Sequence, residues 1–171
     1  MVDGPSGRLV IKRYNIKNFS HGVARAFQNT RGWVSWANAN RLNFLGIRTV
    51  APVALVEDRF GPIRRKAYFI TEYIEGADAM ALAYNDDPSE EIGSIAKIIK
   101  DMSAAGISHG DLKASNFILG SDGPVIIDLD SMKEHRGQFA KHRAQKRDIA
   151  RFMKNWASEP QVWNRFAELL L

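Results

Sequence analysis

The stretch ISHGDLKASNFILGSDGPVIIDLDSM, residues 107–132, contains two acids that stand next to apolar residues, with a lysine and an asparagine close behind the first acid. Asp111 is followed closely by Lys113 and Asn116, and a second acid, Asp128, follows an apolar run near the end of the stretch. The first three residues lie in a predicted loop, and the second acid lies at the end of a predicted buried strand. A loop and a strand end that meet can bring four polar side chains to one point.

This set of side chains suits a phosphate that is bound together with magnesium. Phosphoryl transfer requires neutralised charge on the phosphate oxygens and an acceptor hydroxyl held in line with the phosphorus. The carboxylate of Asp128 and the amide oxygen of Asn116 are hard ligands of the kind that Mg²⁺ prefers. Asp111 can orient the hydroxyl and accept its proton, and Lys113 can offset charge on the phosphoryl group. Alone, Asp111 is typical of a turn; the combination predicts a phosphoryl-transfer site.

Length and composition are those of an ordinary globular protein. The chain has 171 residues, enough for one domain with a core or for two small lobes that share a cleft. It has no cysteine, which excludes disulfides and thiolate metal sites. No apolar run approaches the roughly 20 residues that span a bilayer, and the amino terminus lacks the layout of a signal peptide. We therefore expect a cytoplasmic protein.

The chain is basic, and its positive charge is concentrated near the carboxy terminus. The formal net charge is +5, and eight Lys or Arg but only two acids lie between Lys133 and Lys154. A solvated face commonly explains such a run. The functional alternative is attraction to an acidic glycolipid or peripheral contact with the anionic inner membrane. Nucleic acid is the weaker expectation, because no stacking aromatics are interleaved with the charges.

The first half of the chain is predicted to be mostly sheet, with one helix. Hydrophobic periodicity and turn residues predict its elements. These are strands over Arg8–Tyr14, Val53–Glu57 and Ala67–Tyr73, a helix over Ser35–Leu45 that Gly46 ends, and a turn over Asp58–Lys66 that contains Gly61-Pro62.

The second half is predicted to be mainly helical around the loop and strand described above. A first helix has Asp87 at its N-cap, Pro88 at its first position and Gly106 as its stop. Its apolar face is marked by Ile92, Ile95, Ile99 and Met102. A second helix carries apolar residues at Ile149, Phe152 and Trp156 and is followed by the breaker Glu159-Pro160.

The segment HGDLKASN, residues 109–116, resembles the catalytic loop of the protein-kinase superfamily, in which Lys and Asn follow the Asp at this spacing. IDLD, residues 127–130, resembles the Asp-Phe-Gly metal site, and Lys12 resembles the strand lysine that holds nucleotide phosphates. The resemblance implies a two-lobed α+β fold with ATP and Mg²⁺ as cofactors. It implies a sheet-rich lobe to about residue 74 and a mainly helical lobe over about residues 75–171.

The same resemblance assigns parts to residues outside the catalytic loop. The backbone of Glu72, Tyr73 and Ile74 is expected to form the hinge that meets adenine. His109 is expected to be a packed support of the loop rather than an acid or base. For Asp148 two alternatives stand: a brace for the loop from the following helix, or a solvated helical acid.

Further segments are similar to one branch of the superfamily. KRYN near the start, LGIRTVAPVALVE over residues 45–57 and AYFITEYIEG over residues 67–76 resemble the lipopolysaccharide kinase family. That family phosphorylates sugars of the inner core. The resemblance therefore implies ATP-dependent phosphorylation of a sugar hydroxyl on an acidic glycolipid.

Four departures from the superfamily pattern keep alternatives open. Gly110 replaces the usual Arg, which is common in kinases of small molecules, whereas Lys113 is typical of protein kinases, so another small molecule or a protein is an alternative acceptor. Asp130 lies where the metal motif has Gly, so it can share the metal.

The last two departures concern activity. Asn38 stands where a helix Glu is expected, and only nine residues precede Val10, too few for the complete glycine-rich hairpin that covers ATP phosphates. Both favour the alternative of a pseudokinase that binds nucleotide without transfer.

Overall fold

The computed structural model describes residues 1–4, 7–15, 29–60 and 63–171. The described chain divides into two compact units, one of Met1–Gly46 with Val50–Tyr73 and one of Ile47–Thr49 with Ile74–Leu171. The first unit is mostly sheet and the second mainly helical, which confirms the predicted α+β class. The helices are α1 (Arg31–Phe44), α2 (Ser89–Ala104), α3 (Gln138–Met153) and α4 (Pro160–Leu170). The strands are β1 (Val2–Gly4), β2 (Gly7–Tyr14), β3 (Pro52–Phe60), β4 (Ile63–Glu72), β5 (Gly76–Asp78), β6 (Ile107–Ser108), β7 (Phe117–Gly120), β8 (Gly123–Ile126) and β9 (Lys133–Glu134).

The first unit is an antiparallel sheet of order β1-β2-β4-β3 with α1 against one face. Side chains alternate between the two faces of a strand, so Lys12 and Tyr14 share a face of β2. Tyr14 is buried, and its hydroxyl lies 2.8 Å from the Ser35 hydroxyl of α1. Phe69 of β4 meets Trp36 of α1 edge-on at 6.3 Å. Lys12 therefore lies on the face of the sheet that packs against the helix.

Helix α1 begins at Arg31, four residues before the predicted start at Ser35. The Thr30 side chain caps it by accepting a hydrogen bond from the Trp33 N–H at 3.0 Å. Gly32 is a weak helix former, but a Cβ at this position would lie 2.8 Å from the Cβ of Ala67. The predicted start was wrong because Gly32 packs closely against the sheet, and such a contact cannot be read from local helix propensity.

Strands β3 and β4 are longer than predicted and pair as far as Phe60 opposite Ile63. The predicted turn over Asp58–Lys66 was therefore wrong over most of its length, while Gly61-Pro62 lies outside the described residues. Polar residues suggested a loop, but a hairpin ladder is formed by backbone groups and tolerates polar side chains at an exposed end.

In the second unit, α2 presents its predicted apolar face to the core. Its four marker residues, Ile92, Ile95, Ile99 and Met102, are all buried. The helix begins at Ser89, one residue after the predicted first position, and the Asp87 carboxylate accepts a 2.6 Å hydrogen bond from the Ser89 hydroxyl. Gly106, with φ of +75°, follows the end of the helix as predicted.

An aromatic cluster joins the last two helices to strand β7. Phe152 makes edge-on contacts with Phe117 at 5.8 Å and with Phe166 at 4.8 Å. Glu159-Pro160 does separate two helices, but Pro160 also begins α4, which the sequence interpretation omitted. Proline is well suited to a first helical position because its missing N–H has no helical partner there.

Candidate functional site

The loop that carries Asp111 follows strand β6 and makes a sharp turn at Gly110. Gly110 has φ of +81°. A Cβ added to it would lie only 2.5 Å from the backbone oxygen of Ser131. Both the positive φ and the close backbone exclude a side chain here. The departure from the usual Arg is thus a steric requirement of this loop.

The carboxylate of Asp148 on α3 holds this turn. It accepts hydrogen bonds from the N–H of His109 at 2.6 Å and from the N–H of Gly110 at 3.1 Å. The Asp148 residue is only 8% exposed. The alternative of a brace for the loop is confirmed, and the alternative of a solvated helical acid was wrong.

His109 connects the loop to the strand end that precedes Asp128. Its Nε2 lies 3.0 Å from the carbonyl oxygen of Ile127. Because a carbonyl can only accept, Nε2 carries the proton and donates. His109 is 1% exposed, and its Nδ1 has no hydrogen-bond partner among the described residues. These contacts confirm the expected role of a packed support.

Asn116 is hydrogen-bonded to the loop and to the strand end of the motif. Its side-chain amide donates to the carbonyl oxygen of Asp111 at 2.9 Å. Its own backbone oxygen accepts from the N–H of Ile127 at 2.8 Å, directly before Asp128. One asparagine therefore links the backbone of Asp111 to the backbone that precedes Asp128, and the action of Asn116 and Asp128 on a metal stays a prediction.

Asp128 has an unusual backbone conformation between β8 and a short 3-10 helix, Leu129–Ser131. Its φ of 63° and ψ of 53° place it in the left-handed region, and it is the one non-glycine residue with positive φ in the described ranges. Such a conformation costs on the order of 1–3 kcal/mol and concentrates at functional sites. The role of Asp128 in metal binding stays a prediction.

The carboxylate of Asp111 lies between two cations. Lys113 Nζ is 3.0 Å from Oδ2, and Arg151 Nη1 is 3.0 Å from Oδ1. The Lys113 hydrogen bond, and then the charges of Lys113 and Arg151, hold the pKa of Asp111 below its ordinary value. A lowered folded-state pKa means that these contacts stabilise the protein above the ordinary pKa of an aspartate. Their contribution is lost as pH falls through the lowered value.

The oxygens of Asp128 and Asn116 fit a magnesium ion in their chemistry. Both are hard donors, and Mg²⁺ commonly takes one or two protein ligands and completes its shell with water and phosphate oxygens. Within the described ranges, no three His, Cys, Asp or Glu side chains group closely enough to hold a metal ion. Asp130 lies in the next turn and accepts from the Ser131 hydroxyl at 3.3 Å. Its part in metal binding stays a prediction.

In the sheet-rich unit, Lys12 lies on β2 with its ammonium 5.2 Å from the centre of the Tyr14 ring. Glu57 is the first acid after Tyr14 in the sequence. Its carboxylate accepts from the Thr30 hydroxyl at 2.6 Å and also pairs with Arg59. One contact of Glu57 thus supports the residue that caps α1, and the role of Lys12 toward nucleotide phosphates stays a prediction.

The predicted hinge has two of its backbone donors already in use. The N–H of Glu72 donates to Ala51 at 3.1 Å, and the N–H of Tyr73 donates to Arg8 at 2.9 Å. The N–H of Ile74 makes no hydrogen bond within the part of the chain that the structure describes. Of the three predicted hinge residues, Ile74 is therefore the one whose N–H has no partner among the described residues and could donate to adenine.

Two residues that contact the loop were not identified from the sequence. Arg151 contacts Asp111, and the side-chain oxygen of Asn155 accepts from the N–H of Ala114 at 2.6 Å. With Asp148 they follow one another at intervals of three and four residues, which is one face of a helix. This spacing was a signal that could have found them once Asp148 was suspected.

A sheet-rich unit and a helical unit with this loop and strand-end pattern define a protein-kinase-like fold. The chain belongs to the lipopolysaccharide kinase (Kdo/WaaP) family, whose profile matches residues 6–169. A solved structure of WaaP in complex with acyl carrier protein is similar, with a TM-score of 0.70 and 19% sequence identity. The matched region covers 98% of this chain and 71% of the chain in that structure. That likeness extends to the fold of nearly the whole chain.

Two curated relatives are similar over shorter stretches. The lipopolysaccharide core heptose(I) kinase WaaP of Pseudomonas aeruginosa is 26% identical over 115 residues, which are 60% of this chain and 43% of that kinase. The serine/threonine-protein kinase RAD53 of Saccharomyces cerevisiae is 34% identical over 68 residues, which are 36% of this chain and 8% of that protein. The match to the heptose kinase thus spans less than half of its length.

Proposed function

We propose that this protein transfers the terminal phosphoryl group of ATP to a sugar hydroxyl of the lipopolysaccharide inner core. The observation that carries the proposal is the position of Asn116, which is hydrogen-bonded both to Asp111 and to the residue before Asp128. Membership of the lipopolysaccharide kinase family and the likeness to a core heptose kinase support the choice of acceptor.

The residues of the loop and strand end divide the chemistry among them. Asp128 and Asn116 would hold Mg²⁺, which neutralises phosphate charge when it is bound. Asp111 orients the acceptor hydroxyl and accepts its proton. Lys113 offsets charge on the phosphoryl group, and its ion pair with Asp111 at 3.0 Å supports this part of the proposal. The site therefore acts by positioning and charge compensation.

Residues of the sheet-rich unit and the hinge bind the nucleotide in this proposal. Lys12 pairs with the phosphates of ATP. The backbone of Glu72, Tyr73 and Ile74 meets adenine, and the amide of Ile74 is the donor, since the other two amides already have partners. ATP and Mg²⁺ are accordingly the proposed cofactors.

A nucleotide-binding module without transfer is the second candidate. The observation that favours it is Asn38 on α1, where the superfamily carries a Glu that secures the strand lysine. A protein or another small molecule as acceptor is the remaining alternative. These functions share the nucleotide site and differ in where the phosphoryl group goes.

An assay with labelled ATP, magnesium and separate acceptors distinguishes these functions. We expect label in the lipopolysaccharide core and none in a protein substrate. Label in protein alone would overturn the proposed acceptor, and stabilisation by Mg-ATP without label in any acceptor would establish the module.

The change Asp128→Asn is expected to weaken binding of Mg-ATP at least about tenfold, equivalent to about 1.4 kcal/mol, because it removes a charged metal ligand. The measurement is the increase in Tm on adding Mg-ATP, at several nucleotide concentrations. Asp122→Asn, in an exposed turn of the same unit, is the matched control and should respond as the native chain does. Equal responses of both variants would contradict the metal assignment.

We also propose peripheral contact with the anionic inner membrane, through the outer face of α3. This outer face comprises Phe139, Arg143 and Lys146, and Lys154 follows directly after the end of the helix. All four residues are exposed, Phe139 at 82%. The one acid of α3, Asp148, is buried against the loop. Cations attract anionic headgroups, and an exposed aromatic can enter the interface. In the described ranges, no helix has the length and apolar character needed to cross a membrane.

The double change Arg143→Gln with Lys146→Gln tests the membrane proposal. Each cation near an anionic surface contributes about 1 kcal/mol, so affinity for phosphatidylserine or phosphatidylglycerol vesicles should fall about 30-fold. Sedimentation with vesicles measures it, with Lys97→Gln plus Lys100→Gln on α2 as the control of equal charge. Binding to purified acyl carrier protein, the partner in the WaaP complex, without binding to vesicles would instead indicate an acidic protein.

A further inference from the structure

The catalytic loop of this protein cannot carry an arginine before Asp111. Gly110 has a positive φ of +81°, and its Cα faces the backbone of Ser131 so closely that even a methyl group would overlap it. A positive charge in the place of that arginine must therefore come from another element of the fold. Helix α3 supplies one.

Arg151 reaches the loop from α3, 40 residues along the chain from Asp111. Its Nη1 donates to the carbonyl oxygen of Gly110 at 2.7 Å and to Oδ1 of Asp111 at 3.0 Å. One nitrogen thus joins the backbone of the turn to the carboxylate of the next residue. Asp148, one helical turn earlier, holds the N–H side of the same turn. The two residues grip opposite polar groups of the loop backbone.

We propose that Arg151 is a positioning residue that fixes the side chain of Asp111 relative to the turn at Gly110. The structural part of this proposal rests on the contacts of Arg151. Its effect on catalysis rests on the proposed function. Lys113 contacts the other oxygen, Oδ2, but it follows Asp111 in the same loop and moves with it. Arg151 is anchored on a separate helix and can therefore hold the carboxylate against the body of the unit.

The chemistry of phosphoryl transfer fits an orienting role. Two neighbouring cations make Asp111 a weaker base, which would be a disadvantage if proton removal limited the reaction. The transition state of this reaction is largely dissociative, so the proton leaves the acceptor hydroxyl late, and a weakened base still accepts it once the hydroxyl is oriented. Nη1 of a guanidinium carries two protons in a rigid plane, so it serves both acceptors at fixed angles, whereas the ammonium of a lysine rotates freely and fixes their geometry less firmly.

The test compares Arg151→Gln with Arg147→Gln, an exposed arginine one turn earlier on α3. We expect kcat to fall about 10- to 100-fold in Arg151→Gln with the KM for ATP unchanged, because orientation of the acceptor is lost while the nucleotide site is intact. Arg147→Gln should behave as the native chain. Adding millimolar guanidinium should restore part of the native kcat to Arg151→Ala. Arg151→Lys should retain only part of the native kcat.

Amide hydrogen exchange of residues 107–117 provides a readout that does not depend on transfer. We expect exchange in this segment to become about tenfold faster in Arg151→Gln and to be unchanged in Arg147→Gln. The proposal would be overturned if Arg151→Gln had the exchange rates of the native chain, or if its KM for ATP rose while its kcat was unchanged. If the native chain transfers no phosphoryl group, the proposed function fails, and the exchange result alone still decides whether Arg151 positions the loop.

Discussion

Replacing Asp111 by asparagine should lower kcat for phosphoryl transfer by about 10²- to 10⁴-fold, the range associated with a general base. Asparagine retains the size of the side chain but cannot accept the proton of the hydroxyl, and it loses the ion pairs with Lys113 and Arg151. The KM for ATP should change little, because Asp111 is not among the proposed nucleotide or metal ligands. Initial rates at varied ATP and acceptor concentrations measure both constants.

A matched substitution separates this effect from a general loss of acidic charge. Asp86→Asn changes an exposed acid of the same unit, before α2, and should leave both constants unaltered. Retention of more than about a tenth of the native kcat by Asp111→Asn would remove the base from the mechanism, since general bases contribute at least about 10²-fold. Unchanged Tm in Asp111→Asn would show that its low rate is not caused by unfolding.

Replacing Asp148 by alanine should produce the largest loss of stability among the changes considered. The N–H of His109 would lose its acceptor in a buried position, whereas the N–H of Gly110 belongs to an exposed residue and can turn to water. One unsatisfied buried donor costs about 1–3 kcal/mol, so the free energy of unfolding should fall by about 1–3 kcal/mol. For a chain of this length, that corresponds to a decrease in Tm of roughly 2–12 °C.

Urea unfolding of Asp148→Ala measures this loss, and Asp101→Ala is its control. Asp101 forms an exposed ion pair with Lys97 on α2. Such a pair contributes only about 0.3–0.5 kcal/mol. If both variants unfold at the same urea concentration, the hydrogen bonds of Asp148 do not hold the loop. Phosphoryl transfer should also be lost in Asp148→Ala at temperatures where the chain remains folded, because the turn before Asp111 is released.

The sequence was most informative where function and structure depend on short separations along the chain. Asp111, Lys113 and Asn116 lie within one loop, and their spacing predicted that they act together with Asp128. The contacts of Asn116 agree with that grouping. The apolar face of α2 was equally predictable, because its period of 3.6 residues is a local property. Assignment of each residue to metal, phosphate or hydroxyl stays a prediction.

Other features depended on contacts that no local pattern contains. The predicted helix began at Ser35, but α1 begins at Arg31 and includes Gly32, where only a residue without a side chain fits against Ala67. Pro160 was interpreted as a helix breaker, but it is also the first residue of α4, which packs Phe166 against Phe152 in the aromatic cluster. In both cases packing outweighed the intrinsic preference of one residue.

Spacing along the chain was enough to group the polar residues of the candidate site, and the resemblance of several segments to a known family implied the α+β class and the lipopolysaccharide kinase branch. Contacts between distant segments were needed to show that Asp148 and Arg151 bind the loop from a separate helix, and that Gly110 must be a glycine. Those facts depend on how segments some 40 residues apart pack together, as in the Arg151 contact with Asp111. Packing of this kind is set by shape and by the pairing of buried polar groups across the whole unit.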